Sequence, residues 1–173
     1  MPAKVAVLMG SDSDLPVMRE AVEMLARFGV PCEVRALSAH RSPEAVAEFA
    51  RTAGKRGFAC IIAGAGGAAH LAGAVAAHTT LPVIGVPLVA GELGGMDALL
   101  ATVQMPAGLP VATMTIGRAG AANAALLAVE ILAVTDESLR DRLEAFRREQ
   151  AQAVADKDRR VQDELGERGK GSE

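Results

Sequence analysis

Residues 57–91 read GFACIIAGAGGAAHLAGAVAAHTTLPVIGVPLVAG, a run without a single Asp, Glu, Lys or Arg. A stretch this long without formal charge is either a membrane span or a fully buried piece of a folded domain. Its apolar content is largely Ala and Gly, Pro82 and Pro87 break it, and His70 and His78 lie within it. Spanning helices are instead built from Leu, Ile, Val and Phe. The run therefore reads as a buried strand, helix and strand: apolar Ala59–Ala63, a Gly-rich turn, an Ala-rich helical part, then apolar Val83–Val86.

The same alternation continues outward on both sides. Val5–Met9 and Glu33–Leu37 precede the run and Val111–Thr115 follows it, with segments of helical periodicity between. Near-continuous hydrophobicity in most of these strands means that both sheet faces are covered. The implied class is α/β, a three-layer open parallel sheet of flavodoxin-like or Rossmann-like type with a C-terminal helical arm. In the first helix Val17, Ala21, Met24 and Leu25 form one apolar stripe, which Gly29 and Pro31 stop. The second starts at Ser42 as N-cap, with Pro43 at the first helical position and Glu44 at the positive end of the dipole. Residues 1–135 are expected to form one α/β domain. From 136 to 165 charges alternate while Leu139, Leu143, Phe146, Val154, Val161 and Leu165 fall near helical spacing. This amphipathic helix either packs on its own domain or reaches a neighbouring subunit; 166–173 is expected to be a disordered tail.

Composition narrows the function. A length of 173 residues suits one domain plus a tail. A formal charge of −3 offers no basic field for a nucleic-acid backbone or an anionic membrane, so neither is an expected partner. Aromatics make up 2 % with no Trp or Tyr, so the core is packed from small aliphatic side chains and flavin stacking is disfavoured. Cys32 and Cys60 form no CxxC pattern and read as two buried thiols in a reducing compartment, with no metal or redox centre. The apolar run after Lys4 is too short for a signal-peptide core, so export is not indicated.

In an open parallel sheet, ligands bind beyond the carboxyl ends of strands, and the polar residues of this chain cluster there. After the first strand comes Gly10-Ser11-Asp12-Ser13-Asp14. Free helix-start amides and hydroxyls suit a phosphate and a carboxylate suits ribose hydroxyls; a plain turn with Ser13 or Asp14 as N-cap is the other reading. After the second comes Ser38-Ala39-His40-Arg41-Ser42-Pro43. Imidazole gives and takes a proton near neutral pH, and guanidinium grips a phosphate through two donors. A cation beside a helix start is mildly unfavourable, which favours an anion nearby over a merely solvated Arg41. After the third comes Gly64-Ala65-Gly66-Gly67-Ala68-Ala69-His70-Leu71, which formally matches the dinucleotide fingerprint. That match is set aside, because it is not in the first βαβ unit and no acidic residue follows to hold a ribose. Glycines that admit close backbone approach, in a segment without charge, instead suit a dry pocket for a small neutral molecule such as carbon dioxide. His70 is either structural or part of that pocket, whereas His78 and the methionines read as structural.

Together MGSDSD, SAHRSPE, IIAGAGGAAHLAG, PVIGVP, VQMPAGLPV and IGRAGAANAALLA closely resemble the class I N5-carboxyaminoimidazole ribonucleotide mutases of de novo purine synthesis, over about residues 3 to 133. The resemblance implies a cytoplasmic homo-octamer, free of metal or organic cofactor, that moves a carboxyl group from the exocyclic nitrogen of an aminoimidazole ribonucleotide to ring carbon C4. It also implies a functional link to the ATP-dependent synthetase that makes the substrate. His40 matches the family's general acid/base. Ser11 and Arg41 match phosphate-binding positions and Asp14 a ribose position, with Ser13, Ser38 and Ala39 beside them. Gly66, Gly67, Ala68, His70 and Leu71 lie in the loop that resembles the base and carboxylate pocket. The chain departs from the family pattern at Ala72, where Pro is usual, at Arg118, where Lys is common, and through Val89–Gly95. The nearest rival is a carboxylase taking dissolved carbon dioxide with aminoimidazole ribonucleotide, against which AGAGGAAHL argues; a non-catalytic nucleotide-binding module is the remoter one.

Overall fold

The computed structural model describes residues 3–170, with side chains described as far as 165. Strands β1 (Lys4–Met9), β2 (Cys32–Ala36), β3 (Phe58–Gly66), β4 (Val83–Leu88) and β5 (Ala112–Thr113) form one all-parallel sheet in the order β2-β1-β3-β4-β5. Helices α1 (Leu15–Arg27), α2 (Pro43–Ala53), α3 (Leu71–Ala76), α4 (Met96–Val103) and α5 (Arg118–Ala133) connect and cover it, and α6 is Glu137–Lys170. The order is the flavodoxin-like one, reversing direction between β1 and β3. Two compact units are distinguished, Met1–Leu132 and Ala133–Glu173.

Register assigns the two faces. Ala6, Leu8, Ile61, Ala63 and Val83 share one face and cluster with Val46, Phe49, Ala50 and Ala53 of α2 and with Leu71, Ala72 and Val75 of α3. Val5, Val7, Ile62 and Ile84 are buried on the other. There Met18 of α1 fills the space over Gly64, and Gly120 of α5 lies against Val86. Each fully buried Ile or Leu contributes about 1.5–3 kcal/mol, so the central strands hold the sheet. Met18, not Val17 or Met24, centres the α1 stripe with Ala21 and Leu25. Gly29, at φ 64°, ends that helix in a Schellman motif: its N–H donates to Ala26 O, and Val30 N–H to Leu25 O, both at 2.9 Å.

Three local expectations need correction. Coverage of both faces holds for the central strands, but β2 is an edge whose Val34 is 37 % exposed. Glu33 guards this edge, accepting two hydrogen bonds from Arg56 Nη2 at 2.7 and 2.6 Å, with Lys4 and Arg35 nearby, an arrangement that discourages pairing with another chain. Cys32 lies on the same edge and is only half-buried, whereas Cys60 is buried in β3 and desolvation pushes its thiol up to about 12. Ser42 stands at the N-cap position of α2 without capping it. Its hydroxyl accepts from Ser38 N–H and donates to Ser38 O, both at 3.1 Å, so it ties the loop before the helix instead.

The strand expected to end at Ala63 continues through the Gly-rich segment to Gly66, paired with β4 as far as Leu88. α6 extends beyond residue 165 to Lys170, and 171–173 lie outside the described residues. No helix among the described residues is long and apolar enough to cross a membrane. Gly54, after α2, has right-handed helical angles and open space where a Cβ would point. Gly54→Ala is therefore expected to stabilise the protein by about 0.4–1 kcal/mol through the unfolded chain; a lowered melting temperature would contradict this.

Candidate active site

A cavity of about 400 Å³ opens where the sheet order reverses, beyond the ends of β1, β2 and β3. Its wall takes Ser11, Ser13 and Asp14 from the loop after β1, Ser38, Ala39, His40 and Arg41 from the loop after β2, and Gly66, His70 and Leu71 from the end of β3 and the start of α3. Gly10, Ala65, Ala69 and Ala90, which the sequence does not single out as site residues, complete it. Of the residues named from sequence, Gly67 and Ala68 sit on the turn between β3 and α3 and are not part of the wall.

The polar half is built from short-range hydrogen bonds. Ser11 caps a 3-10 turn over Asp12–Asp14 through a capping box, with its N–H donating to Asp14 Oδ2 at 3.0 Å. Ser13 Oγ donates to Ser11 Oγ at 2.9 Å, so the two hydroxyls stand side by side. Across from them Arg41 Nη2 donates to Gly10 O at 3.2 Å and its Nε to Ser38 Oγ at 3.4 Å. These bonds aim an exposed guanidinium, with no carboxylate partner among the described residues, across the gap between the first two loops. Two adjacent hydroxyls facing an unneutralised guanidinium can hold a phosphate.

Burial, more than the neighbouring charge of Asp12, raises the Asp14 carboxyl above its ordinary value, against the lowering effect of the Ser11 and Gly10 amides. A raised folded-state value gives stability that is present at low pH and lost as pH rises through it. Asp14→Asn keeps an acceptor for Ser11 N–H and removes that loss. Its melting temperature should exceed the parent's at about pH 7 and converge with it as pH falls below the ordinary carboxylate range, where Asp14 is protonated in both folded and unfolded chains. A difference independent of pH would contradict this.

The other half carries the proton chemistry. His40 Nε2 lies 2.7 Å from His70 Nδ1, with ring centroids 4.8 Å apart and planes at 73°. One ring nitrogen donates and the other accepts, so a proton on either imidazole has a direct path to the other. Ala69 precedes His70 at φ 42°, a left-handed conformation unusual for a residue with a Cβ, and is buried. Strain of this kind concentrates at functional sites, and here it sets the turn that delivers His70. The contact spans thirty positions of sequence, and only the parallel pairing of β1 with both β2 and β3 brings the two loops together. His78 is placed elsewhere, bonding Ala74 O through Nδ1 at 2.8 Å as a structural residue. Arg118 is also outside the wall, paired with Glu20 of α1 at 2.8 Å.

The profile of the family described as AIR carboxylase matches residues 4–153. N5-carboxyaminoimidazole ribonucleotide mutase from Mycobacterium tuberculosis is 58 % identical over 159 residues, covering 92 % of this chain and 90 % of that protein. The protein of the same name from Vibrio vulnificus is 56 % identical over 151 residues, covering 87 % and 94 %. The crystal structure of Treponema denticola PurE superposes with a TM-score of 0.79 at 26 % identity, covering 89 % of this chain and 95 % of that one. With a family match over most of its length and relatives above half identity, the chain belongs to the AIR carboxylase family.

Proposed function

We propose that the chain is an isomerase of purine (IMP) biosynthesis that converts N5-carboxyaminoimidazole ribonucleotide to 4-carboxy-5-aminoimidazole ribonucleotide in this cavity. The relatives above half identity bear the mutase name, and the observation that carries the assignment of residues is the His40–His70 contact facing the Ser11–Arg41 cradle in one cavity. Ser11, Ser13 and Arg41 take the phosphate, Asp14 and Ser38 flank the ribose, and the apolar side with Ala39, Gly66 and Leu71 receives the flat ring. Gly67 and Ala68 shape the turn behind that side.

The reaction needs one proton in and one out. His40 protonates the carbamate nitrogen, the N–C bond breaks, and carbon dioxide leaves an electron-rich ring carbon C4. C4 attacks the trapped carbon dioxide to form the new C–C bond, and His40, relayed by His70, removes the C4 proton to restore aromaticity. No net electron, proton or group is gained, so the chemistry as written calls for no cofactor. Phosphate binding away from the reacting carbon keeps C4 facing the released gas, which replaces a bimolecular recapture by a local one.

Arg41→Ala is expected to weaken substrate binding about tenfold or more through loss of a charge-assisted contact; an unchanged dissociation constant would remove Arg41 from the phosphate site. Direct carboxylation of aminoimidazole ribonucleotide is the second reading, favoured by the family's description alone. A carboxyl-labelled substrate in unlabelled bicarbonate separates the two: retention of label at C4 supports transfer within the site, and full exchange contradicts it.

The assembly belongs to the same proposal. The catalytic domain is 1–135, with the helix that follows it acting as an arm, on which Val154, Val161 and Leu165 are exposed. Leu93, Met96, Leu100 and Val103 also present an exposed apolar row. Both features support self-association; a homo-octamer in the cytoplasm, supplied by the ATP-dependent synthetase that makes the labile carbamate, is what the resemblance to the mutase family implies.

A further inference from the structure

The cavity has one wall that comes from neither the phosphate loops nor the histidines. β3 and β4 leave the sheet side by side, with Gly66 paired to Leu88. Two residues later the chain turns back over β3. A Cβ built on Gly66 would lie 2.5 Å from the Ala90 methyl and 3.1 Å from Leu88 O. The Ala90 methyl therefore occupies the space that a side chain on Gly66 would need, and both residues line the cavity with His40 and His70. Ala90 is the only wall residue from the loop after β4 and is itself exposed, so its size is not fixed by the core.

We propose that Ala90, seated on Gly66, is a specificity-determining residue that limits the room for the ring and its carboxyl group. The inference rests on the mutase reading of this cavity and adds to it a residue outside the acid/base and phosphate sets. The polar side chains assigned to ribose phosphate, Ser11, Ser13, Asp14, Ser38 and Arg41, all belong to the loops after β1 and β2. The wall shared by Ala65, Gly66, Ala69, Leu71 and Ala90 is apolar and can discriminate only by shape. A longer side chain at position 90 cannot extend towards Gly66, where backbone already makes contact. It must enter the cavity or lift the loop, and either outcome disturbs the ring while leaving the phosphate cradle intact.

The test compares Ala90→Leu, Gly66→Ala and the double variant Gly66→Ala/Ala90→Gly with the parent, using full-length protein. Dissociation constants are measured for the C4-carboxylated ribonucleotide and for ribose 5-phosphate, and kcat/KM for the mutase substrate. Ala90→Leu should weaken the carboxylated ribonucleotide and lower kcat/KM about tenfold or more while ribose 5-phosphate affinity stays within about twofold. Gly66→Ala should lose activity comparably, and removing the Ala90 methyl in the double variant should restore most of it, the coupling expected of two groups in contact. Unchanged ribonucleotide affinity in Ala90→Leu, or a double variant no better than Gly66→Ala, would overturn the proposal. An equal loss of ribose 5-phosphate affinity would also overturn it, by showing a general disturbance of the site. These failures leave the functional reading standing as long as the parent enzyme turns over the substrate; an inactive parent would remove both.

Discussion

Replacing His40 with Asn is expected to lower kcat by about a hundredfold to ten-thousandfold, the range for loss of a positioned general acid/base. Substrate affinity should stay within about tenfold, because the Ser11 and Arg41 contacts to phosphate do not involve this ring. Asn is the informative substitute: it fills the inner part of the ring's space and cannot carry a proton, and its shorter amide gives up the 2.7 Å contact of His40 Nε2 with His70 Nδ1. The loop should hold its shape through the Ser38–Ser42 and Arg41 hydrogen bonds while the chemistry stops. Steady-state kinetics with calorimetric binding separate the two effects. A variant with full kcat would remove His40 from proton transfer, and one that loses affinity as much as rate would make it a binding residue. His70→Asn should fall between this variant and the parent, since a relay helps the second proton step and not the first.

The largest structural effect is expected from Gly120→Ala. α5 begins against the loop after β5 so closely that a Cβ at position 120 would stand 1.7 Å from Thr115 O and 2.8 Å from Thr115 C. Both are backbone atoms, so no side chain can rotate away, and Val86 at 3.4 Å closes the remaining side. Overpacking typically costs about 1–3 kcal/mol, and a backbone clash lies at or above the top of that range. Against a total stability of about 5–15 kcal/mol this is a large fraction, corresponding to a fall in melting temperature of about 6–12 °C or more. Thermal melts of the two proteins decide it, with Gly54→Ala as the control for adding a methyl where there is space. An unchanged melting temperature in Gly120→Ala would mean that the α5 approach is not as close as described.

The sheet was readable in the sequence wherever burial is complete. β1, β3 and β4 are buried runs of Val, Ile, Leu and Ala, and that composition marks them without help from the fold. β2 was placed to within one residue, but its exposed outer side follows from being last in the strand order, which composition does not encode. Gly64 and Gly66 look like ligand-binding glycines, so composition alone ends β3 early, at Ala63. Gly64 instead makes room for Met18, a packing relation that exists only once α1 lies on the sheet. Likewise Ser42 carries the right residue type for a cap, yet competition from Ser38 takes its hydroxyl.

For the site, Ser11, Asp14, His40 and Arg41 were legible because polar residues directly after apolar strands have few structural uses. The pairing of His40 with His70 was not, because neither residue type nor spacing says which loops a parallel sheet will bring together. Ala90 falls within the Val89–Gly95 departure from the family pattern, but nothing there marks it as a wall residue: a methyl group has no chemistry, and its place against Gly66 depends on the exit of β4. Gly67 and Ala68 share a motif with His70, but the turn that delivers His70 leaves them out of the wall.

The central claim is that this cavity rearranges a carboxylated substrate rather than fixing carbon dioxide from solution. The direct measurement is turnover of N5-carboxyaminoimidazole ribonucleotide at very low bicarbonate, set beside turnover of aminoimidazole ribonucleotide with abundant bicarbonate. Rapid formation of the C4-carboxylated product only from the first is the predicted result; preference for the second would contradict the account and make the protein a carboxylase.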